Sequence, residues 1–363
     1  MKILVVTPLF ARSGVALAQV RFARALQRRG HEVVLVVGHI NREYGFDPPE
    51  DLTVRVLDAP NARGMFWPIV RYLREEQPEV VFSAEDHLNT FVLAAAILTG
   101  SKAKISGSCR VTPFDTYSNT PLTKRWLLKQ FARLVMSRAD ALTCVSQDMV
   151  AQYRQVFSSP PHVCVYNIVD DATSRAKMAE PVDHPWLGDT SVPVVVAAGR
   201  LAPWKGFDTL IGAMELLKER RTVRLMILGD GPLRGELQEQ IDGLGLSDRV
   251  DLVGYVDNPL KYFREAQAFV LSSLVEGMPN VLVEAMLAGC SLVSTDCPTG
   301  PRELLREGRY GRLVPVGDAA AMAGAIEQAL DDPIPADRLE EALAPFREET
   351  VIARHFELLG LAA

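Results

Sequence analysis

Ser273-Leu274-Val275-Glu276-Gly277-Met278-Pro279-Asn280-Val281-Leu282-Val283-Glu284-Ala285-Met286-Leu287-Ala288-Gly289 follows the short apolar run Ala268–Leu271. The order reads as strand, loop, helix. Gly277 and Pro279 break the chain, Asn280 is an N-cap residue type, and Gly289 suits the helix end. That reading predicts Glu276 in the loop at a strand's carboxyl end and Glu284 one turn into the helix. The N–H groups of Asn280 and Val281 are expected to be free, and a helix N-terminus suits a phosphate. Two carboxylates beside a phosphate make electrostatic sense if they bind sugar hydroxyls, one on a transferred sugar and one on a ribose. The plainer alternative leaves Glu276 as a solvated loop residue and Glu284 as a favourable charge on the helix dipole.

The same β–α alternation extends in both directions, which implies parallel sheets buried on both faces. Toward the N-terminus the strand candidates are Ile3–Val6, Val33–Val37, Val54–Leu57, Val80–Ser83, Lys104–Ser106, Ala141–Val145 and Val163–Tyr166. A second series starts at Val194–Gly199 and continues through Arg224–Leu228, Val250–Val253, Ala268–Leu271, Ser291–Ser294 and Arg312–Val314. Between them the periodicity fails around Pro181, Pro185 and Gly188. The expected organisation is a first α/β domain over 1–170, a connection over 171–193, a second α/β domain over 194–335, and a helical tail over 336–363 that packs back on the first domain.

Three further segments sit after strands. Gly199-Arg200-Leu201-Ala202-Pro203-Trp204-Lys205-Gly206 offers two cations with no acid between them, able to converge on one anion. Leu228-Gly229-Asp230-Gly231-Pro232 has two glycines that let backbone approach a ligand. Alone it is a simple turn; its position at the edge where such sheets bind ligands adds weight. Leu9-Phe10-Ala11-Arg12-Ser13-Gly14-Val15 follows the first strand, and Gly14 opens a helix where a phosphate could enter.

The chain has 363 residues, 48% hydrophobic and 23% charged, enough for two folded domains and unlike a disordered chain. Up to position 165 there are 20 Lys/Arg against 14 Asp/Glu, whereas the remainder is strongly acidic. A basic first half is either an ordinary solvated face or a hint of an anionic partner. The five cysteines lack metal or redox spacing, and the six histidines follow no metal-ligand pattern. No apolar run is long enough to span a bilayer, and the N-terminus reads as a buried strand rather than a signal peptide. These features favour a cytoplasmic protein. Net charge −6 and the lack of a basic-aromatic motif argue against nucleic-acid binding.

Together the segments resemble the family-four retaining glycosyltransferases. The match is carried by E-x7-E (Glu276 and Glu284), GRLAPWKGFDTLI, LMILGDGPLRGEL, VGYVDN, TDCPTGPREL and the opening MKILVVTP…SGVALAQVRFARALQRRGHEVVLV. The resemblance covers nearly the whole chain and is tightest over 194–317. It implies the GT-B architecture, two Rossmann-like domains facing a cleft, the first (1–170) binding the acceptor and the second (194–335) the nucleotide-sugar, and sugar transfer from that donor, with UDP as the default carrier. Under it Arg200 and Lys205 neutralise the diphosphate and Glu276 contacts the donor sugar; these three are the catalytic candidates. Glu284 holds the ribose. Gly14, Gly229, Asp230, Gly231, Tyr255, Gly277, Met278, Pro279, Asn280 and Val281 line the donor site. No D-x-D motif is present, so no metal and no cofactor are expected. The family's first loop often carries two glycines where this chain has Ser13. The histidine many members place after the fifth strand is missing, and Arg110 is the acceptor-binding candidate there.

The implied acceptor is a glycan or lipid-linked saccharide of cell-surface polysaccharide or lipopolysaccharide assembly. Pro121–Arg138 interleaves Lys124, Arg125, Lys129, Arg133 and Arg138 with Trp126, Leu127, Leu128, Phe131, Leu134 and Val135. It is either an amphipathic helix facing the core or a peripheral contact with the anionic inner face of the plasma membrane. The competing function is an inactive or regulatory sugar-nucleotide-binding partner of another transferase. The donor sugar, linkage and oligomeric state are not encoded in any of these motifs.

Overall fold

The computed structural model describes residues 1–10, 14–41, 49–188 and 191–362. Its contacts divide it into two units, Met1–Ile168 with Glu348–Ala363, and Val169–Arg347. The first unit holds β1 (Lys2–Phe10), β2 (Glu32–Ile40), β3 (Thr53–Val56), β4 (Val80–Ala84), β5 (Lys104–Cys109), β6 (Ala141–Cys144) and β7 (His162–Cys164). They form one sheet in the order β3-β2-β1-β4-β5-β6-β7, with every pair parallel. The second unit holds β8 (Val194–Ala198), β9 (Arg224–Leu228), β10 (Val250–Gly254), β11 (Ala268–Leu271), β12 (Ser291–Thr295) and β13 (Arg312–Val314). Its order is β10-β9-β8-β11-β12-β13, again all parallel. Both sheets reverse strand order beside their first strand, the doubly wound arrangement that leaves a ligand crevice at the strands' carboxyl ends.

Strand alternation explains why the first sheet is apolar throughout. Ile3 and Val5 of β1 pack with the helix Gly14–Arg28 and the C-terminal helix Glu348–Leu359. Leu4 and Val6 face the opposite way, into the core made with helices Phe66–Glu75 and Asp86–Thr99. The second sheet buries Val195, Ala197, Leu225 and Ile227 against helices Phe207–Lys218 and Ala319–Asp331.

Several elements differ from the sequence expectation. β1 runs on through Leu9 and Phe10, which pair with His39 and Ile40, because Phe10 is pulled into the core. The connection expected over 171–193 contains a helix, Ala172–Met178, whose first turn is capped by Asp171 accepting from the Ser174 N–H at 2.7 Å. Of the segment expected as one tail, helix Ala336–Leu343 belongs to the second unit and helix Glu348–Leu359 to the first. The chain's two crossings are clasped together at this point. The N–H groups of Val169 and Asp170 both donate to the Phe346 carbonyl, and Asp170 takes a two-pronged bond from Arg175 at 2.7 and 2.9 Å. Ala11, Arg12 and Ser13 lie outside the described residues.

The C-terminal helix carries His355, packed edge-on against Phe22 and Phe82. Burial, with the nearby Arg110 charge, pushes its pKa from 6.5 down to about 3. The unfolded chain therefore binds a proton in the window between these values that the folded chain does not, so stability falls as pH drops from 6.5 toward 3. Replacing His355 with Leu is expected to flatten that acid limb, measured as midpoint of urea unfolding from pH 7 to pH 4. An unchanged slope would show that His355 does not set it.

Candidate functional site

The second unit's strands are parallel, so the loops after β8, β9, β10 and β11 emerge on one edge. Backbone bonds tie them together. Leu201 N–H donates to the Asp230 carbonyl at 3.0 Å, Gly229 N–H to the Gly254 carbonyl at 2.7 Å, and Leu274 N–H to the Trp204 carbonyl at 2.8 Å. Two glycines make these approaches possible. A Cβ on Gly229 would lie 1.9 Å from the Gly199 carbonyl oxygen. A Cβ on Gly206 would lie 2.2 Å from the Ser272 carbonyl oxygen, and Gly206 has φ +61°.

That second contact brings Lys205 to Glu276. Pro203–Lys205 is a single tight helical turn ending in Gly206, and Ser272 Oγ donates to the Lys205 carbonyl at 2.8 Å. Lys205 Nζ then donates to Glu276 Oε1 at 2.6 Å, and Ser273 Oγ donates to the same oxygen at 2.6 Å. The two ionic side chains are only 17% and 12% exposed. The Glu276 backbone is held on both sides, its N–H donating to Pro298 O at 3.1 Å and its carbonyl accepting from Thr299 Oγ1. A half-buried, hydrogen-bonded ion pair on loops is rigid and ready to exchange partners with a charged, hydroxyl-bearing ligand.

The remaining second-unit candidates lie on the loops after β8, β9, β10 and β11 and in the helix that follows β11. Arg200 is exposed and has no ion pair among the described residues. Asp230 is exposed, and its carboxylate accepts the N–H of Gly231 at 2.7 Å, which stiffens that turn. Tyr255 is exposed beyond β10. Gly277 and Met278 are half-buried, Pro279 is buried, and Glu284 is half-buried in helix Asn280–Leu287. One detail differs from expectation: Pro279, not Asn280, caps this helix, because Asn280 N–H turns back to the Met278 carbonyl at 2.9 Å. The N–H of Asn280 is therefore used, while that of Val281 has no partner among the described residues. Gly289 follows the helix with φ +84°, as a helix stop requires.

Residues 13–167 match the model described as glycosyl transferase 4-like domain, and residues 192–332 that described as glycosyl transferases group 1. The chain belongs to the family-four-like glycosyltransferases. It is 30% identical over 257 residues to an N-acetylgalactosamine-N,N'-diacetylbacillosaminyl-diphospho-undecaprenol 4-alpha-N-acetylgalactosaminyltransferase of Campylobacter jejuni, covering 69% of this chain and 66% of that protein. It is 35% identical over 194 residues to a lipopolysaccharide core biosynthesis glycosyltransferase, LpsE, of Rhizobium meliloti, covering 52% of this chain and 54% of that one. The chain thus spans somewhat over half to about two thirds of these relatives' length. Among solved structures, Anabaena Alr3699/HepE in complex with UDP superposes with a TM-score of 0.77 at 20% identity, over 99% of this chain and all of that one. These likenesses and the two doubly wound sheets establish the GT-B fold.

In this glycosyltransferase-family chain the first-unit candidates are Gly14 and Arg110, and the helix that Gly14 begins lines the Arg110 cavity through Ala18 and Gln19. Gly14 begins helix Gly14–Arg28 and is exposed. Arg110, just past β5, donates to Asn167 Oδ1 and lines a cavity of about 20 Å³ with Ser106, Gln19 and His355. Burial lowers its pKa to about 10, against the opposing charge of the nearby Glu85 carboxylate, and it makes no ion pair among the described residues. That volume is about the size of one water. Sequence reasoning missed Ser272, Ser273, Thr295 and Thr299, whose hydroxyls hold the Lys205–Glu276 loops; Thr295 Oγ1 donates to Ser273 O at 2.5 Å. Hydroxyl residues immediately after β11 and at the end of β12 were the available signal. Among the described residues no cluster of His, Cys, Asp and Glu could hold a metal ion, and no helix is long and apolar enough to cross a membrane.

Gly206→Ala is expected to cost about 1–3 kcal/mol, because the αL backbone and the Ser272 carbonyl both oppose a Cβ. Gly235→Ala, in a helix with nothing within 4 Å of the new methyl, is expected to stabilise by roughly 0.5–1 kcal/mol. Chemical denaturation of the two variants measures the contrast; equal effects would refute the close-approach argument.

Proposed function

We propose that this chain is a retaining glycosyltransferase that moves a hexose or N-acetylhexosamine from a UDP-sugar to a saccharide or lipid-linked saccharide of cell-surface polysaccharide or lipopolysaccharide assembly. The observation that carries the reading is the preorganised Lys205–Glu276–Ser273 cluster on the carboxyl edge of a Rossmann-type sheet. The printed activities of the Campylobacter and Rhizobium relatives support the acceptor class, and the UDP in HepE supports the carrier.

The chemistry follows from the charges. Transfer breaks the bond between the anomeric carbon and the terminal phosphate oxygen, and negative charge builds on the diphosphate. Lys205 and the unpaired Arg200 stabilise that charge in place of a metal, aided by the N–H of Val281. Lys205 gives up Glu276 to do so, and the freed Glu276 carboxylate accepts from donor-sugar hydroxyls. Glu284 holds the ribose. The acceptor oxygen attacks on the face the diphosphate leaves, its proton passes to the departing phosphate oxygen, and the configuration is retained.

The expected kinetics are specific. Glu276→Gln and Lys205→Ala should each lower kcat about 10²–10³-fold, the scale of losing one preorganised electrostatic partner. A chelator should leave the wild-type rate unchanged. Full activity in Glu276→Gln, or loss of activity on chelation with recovery on adding Mg²⁺, would contradict the assignment.

The reading includes peripheral membrane contact through helix Lys124–Val135. This helix buries Lys129, Ala132 and Val135, and it leaves Leu127 and Leu134 exposed on one stripe beside Lys124 and Arg133. Apolar side chains flanked by cations suit an anionic bilayer surface. Co-sedimentation with phosphatidylglycerol vesicles at low salt should be weakened several-fold in Leu127→Ser/Leu134→Ser. No binding by the wild type would remove the membrane contact from this account.

A further inference from the structure

The loop after β12, residues 296–300, lies against the loop after β11 that carries Glu276. β11 and β12 are parallel neighbours with Leu271 in register with Ser294, so the two loops leave the sheet side by side. At Gly300, with φ +98°, an added Cβ would lie 2.7 Å from Pro279 Cδ and 3.4 Å from the Gly277 carbonyl oxygen. An approach that close is open to glycine alone, and it brings the preceding residue to the Glu276 backbone.

That preceding residue, Thr299, is the unusual one. It has φ +44°, and of the seven non-glycine residues at positive φ among those described it alone is β-branched. A branched Cβ is poorly suited to the left-handed region. The side chain is buried, and its hydroxyl donates to the Glu276 carbonyl oxygen. Glycine would take this turn without strain but has no hydroxyl to make that bond. Strain retained beside a candidate catalytic residue, with a hydrogen bond to it as the result, points to a role there.

The other contacts of Glu276 show what the role is. Its N–H donates to the Pro298 carbonyl at 3.1 Å, and its carboxylate accepts from Lys205 Nζ and Ser273 Oγ, both at 2.6 Å. When a diphosphate draws Lys205 away, the charge-assisted contact is the one lost. Ser273 then holds one carboxylate oxygen, while Pro298 and Thr299 hold the peptide on its two sides. Without the Thr299 hydroxyl the peptide is held at its N–H only and can turn the carboxylate away from its target.

We propose that Thr299 is a positioning residue for Glu276: its hydroxyl locks the Glu276 peptide, so the carboxylate stays directed at the donor sugar after Lys205 has turned to the diphosphate. This role rests on the glycosyltransferase reading above. Thr299 acts through Glu276, so its loss lowers turnover and leaves UDP affinity as it was.

The test follows UDP release by the full chain, with water as acceptor, from UDP-glucose, UDP-galactose, UDP-N-acetylglucosamine and UDP-N-acetylgalactosamine, and continues with the fastest donor. Thr299→Val keeps the branched Cβ and removes the hydroxyl; Thr299→Gly removes the hydroxyl and relaxes the backbone. Each should lower kcat about 10- to 100-fold, the scale of a misplaced reacting group, with the calorimetric Kd for UDP unchanged. Thr299→Ser, which restores the hydroxyl, should recover most of the wild-type rate. In a Glu276→Gln background, Thr299→Val should lower the rate by less than about twofold more, because two changes in one interaction do not add. If Thr299→Val fails to melt cooperatively, Thr299→Gly carries both comparisons, since glycine accepts this φ. Wild-type turnover in Thr299→Gly, a serine variant as slow as the glycine one, a full additive loss in the Glu276→Gln background, or a UDP affinity that falls in step with kcat overturns the positioning role alone. A wild type that releases UDP from none of the four donors overturns the transferase reading instead.

Discussion

Lys205 and Glu276 meet 2.6 Å apart although 71 residues separate them in sequence. Everything in the second unit serves that meeting. Parallel pairing of β8 with β11 puts their carboxyl ends on one edge. Gly206 lets the β8 loop pass against Ser272, and the Ser272 and Ser273 hydroxyls fix the backbone and the carboxylate. A buried ion pair stabilises a fold weakly, because desolvation offsets much of the attraction. The proposed function accounts for the pair, one of whose loops depends on Gly206, through a ligand that exchanges both partners.

The two units solve one structural problem twice and carry different chemistry on the result. Both are parallel sheets with the first strand in the middle, both bury alternate faces under helices, and both gather their loops at one edge. The second unit's loops present a salt-bridged cluster, with Arg200, which makes no ion pair among the described residues, close by in sequence. The first unit's loops place Glu85, at φ +84°, near His39 and the exposed cations Arg63 and Lys124.

Much of the fold was legible because buried parallel strands are short uninterrupted Val/Ile/Leu runs. Arg224–Leu228, Ala268–Leu271 and Arg312–Val314 have the bounds their composition suggests. Leu9–Phe10 was not legible as strand, since Pro8 reads locally as a break while Phe10's burial is a tertiary effect. Helix Ala172–Met178 was hidden because seven residues of mixed polarity give no periodicity. In the site, Glu276, Lys205 and Arg200 stood out by type and spacing. Their serine and threonine supports did not, because a hydroxyl's partner depends on which loops the fold brings together. The positive φ of Glu85 was not legible either, because backbone angles leave no mark on residue type.

The most direct test of the central claim is a calorimetric UDP titration of wild-type chain and Lys205→Met. The account predicts metal-independent binding to the wild type and at least a tenfold loss in the variant, whose melting transition stays cooperative. Equal affinity in the two proteins would contradict the claim that the Lys205–Glu276 pair opens to receive the diphosphate.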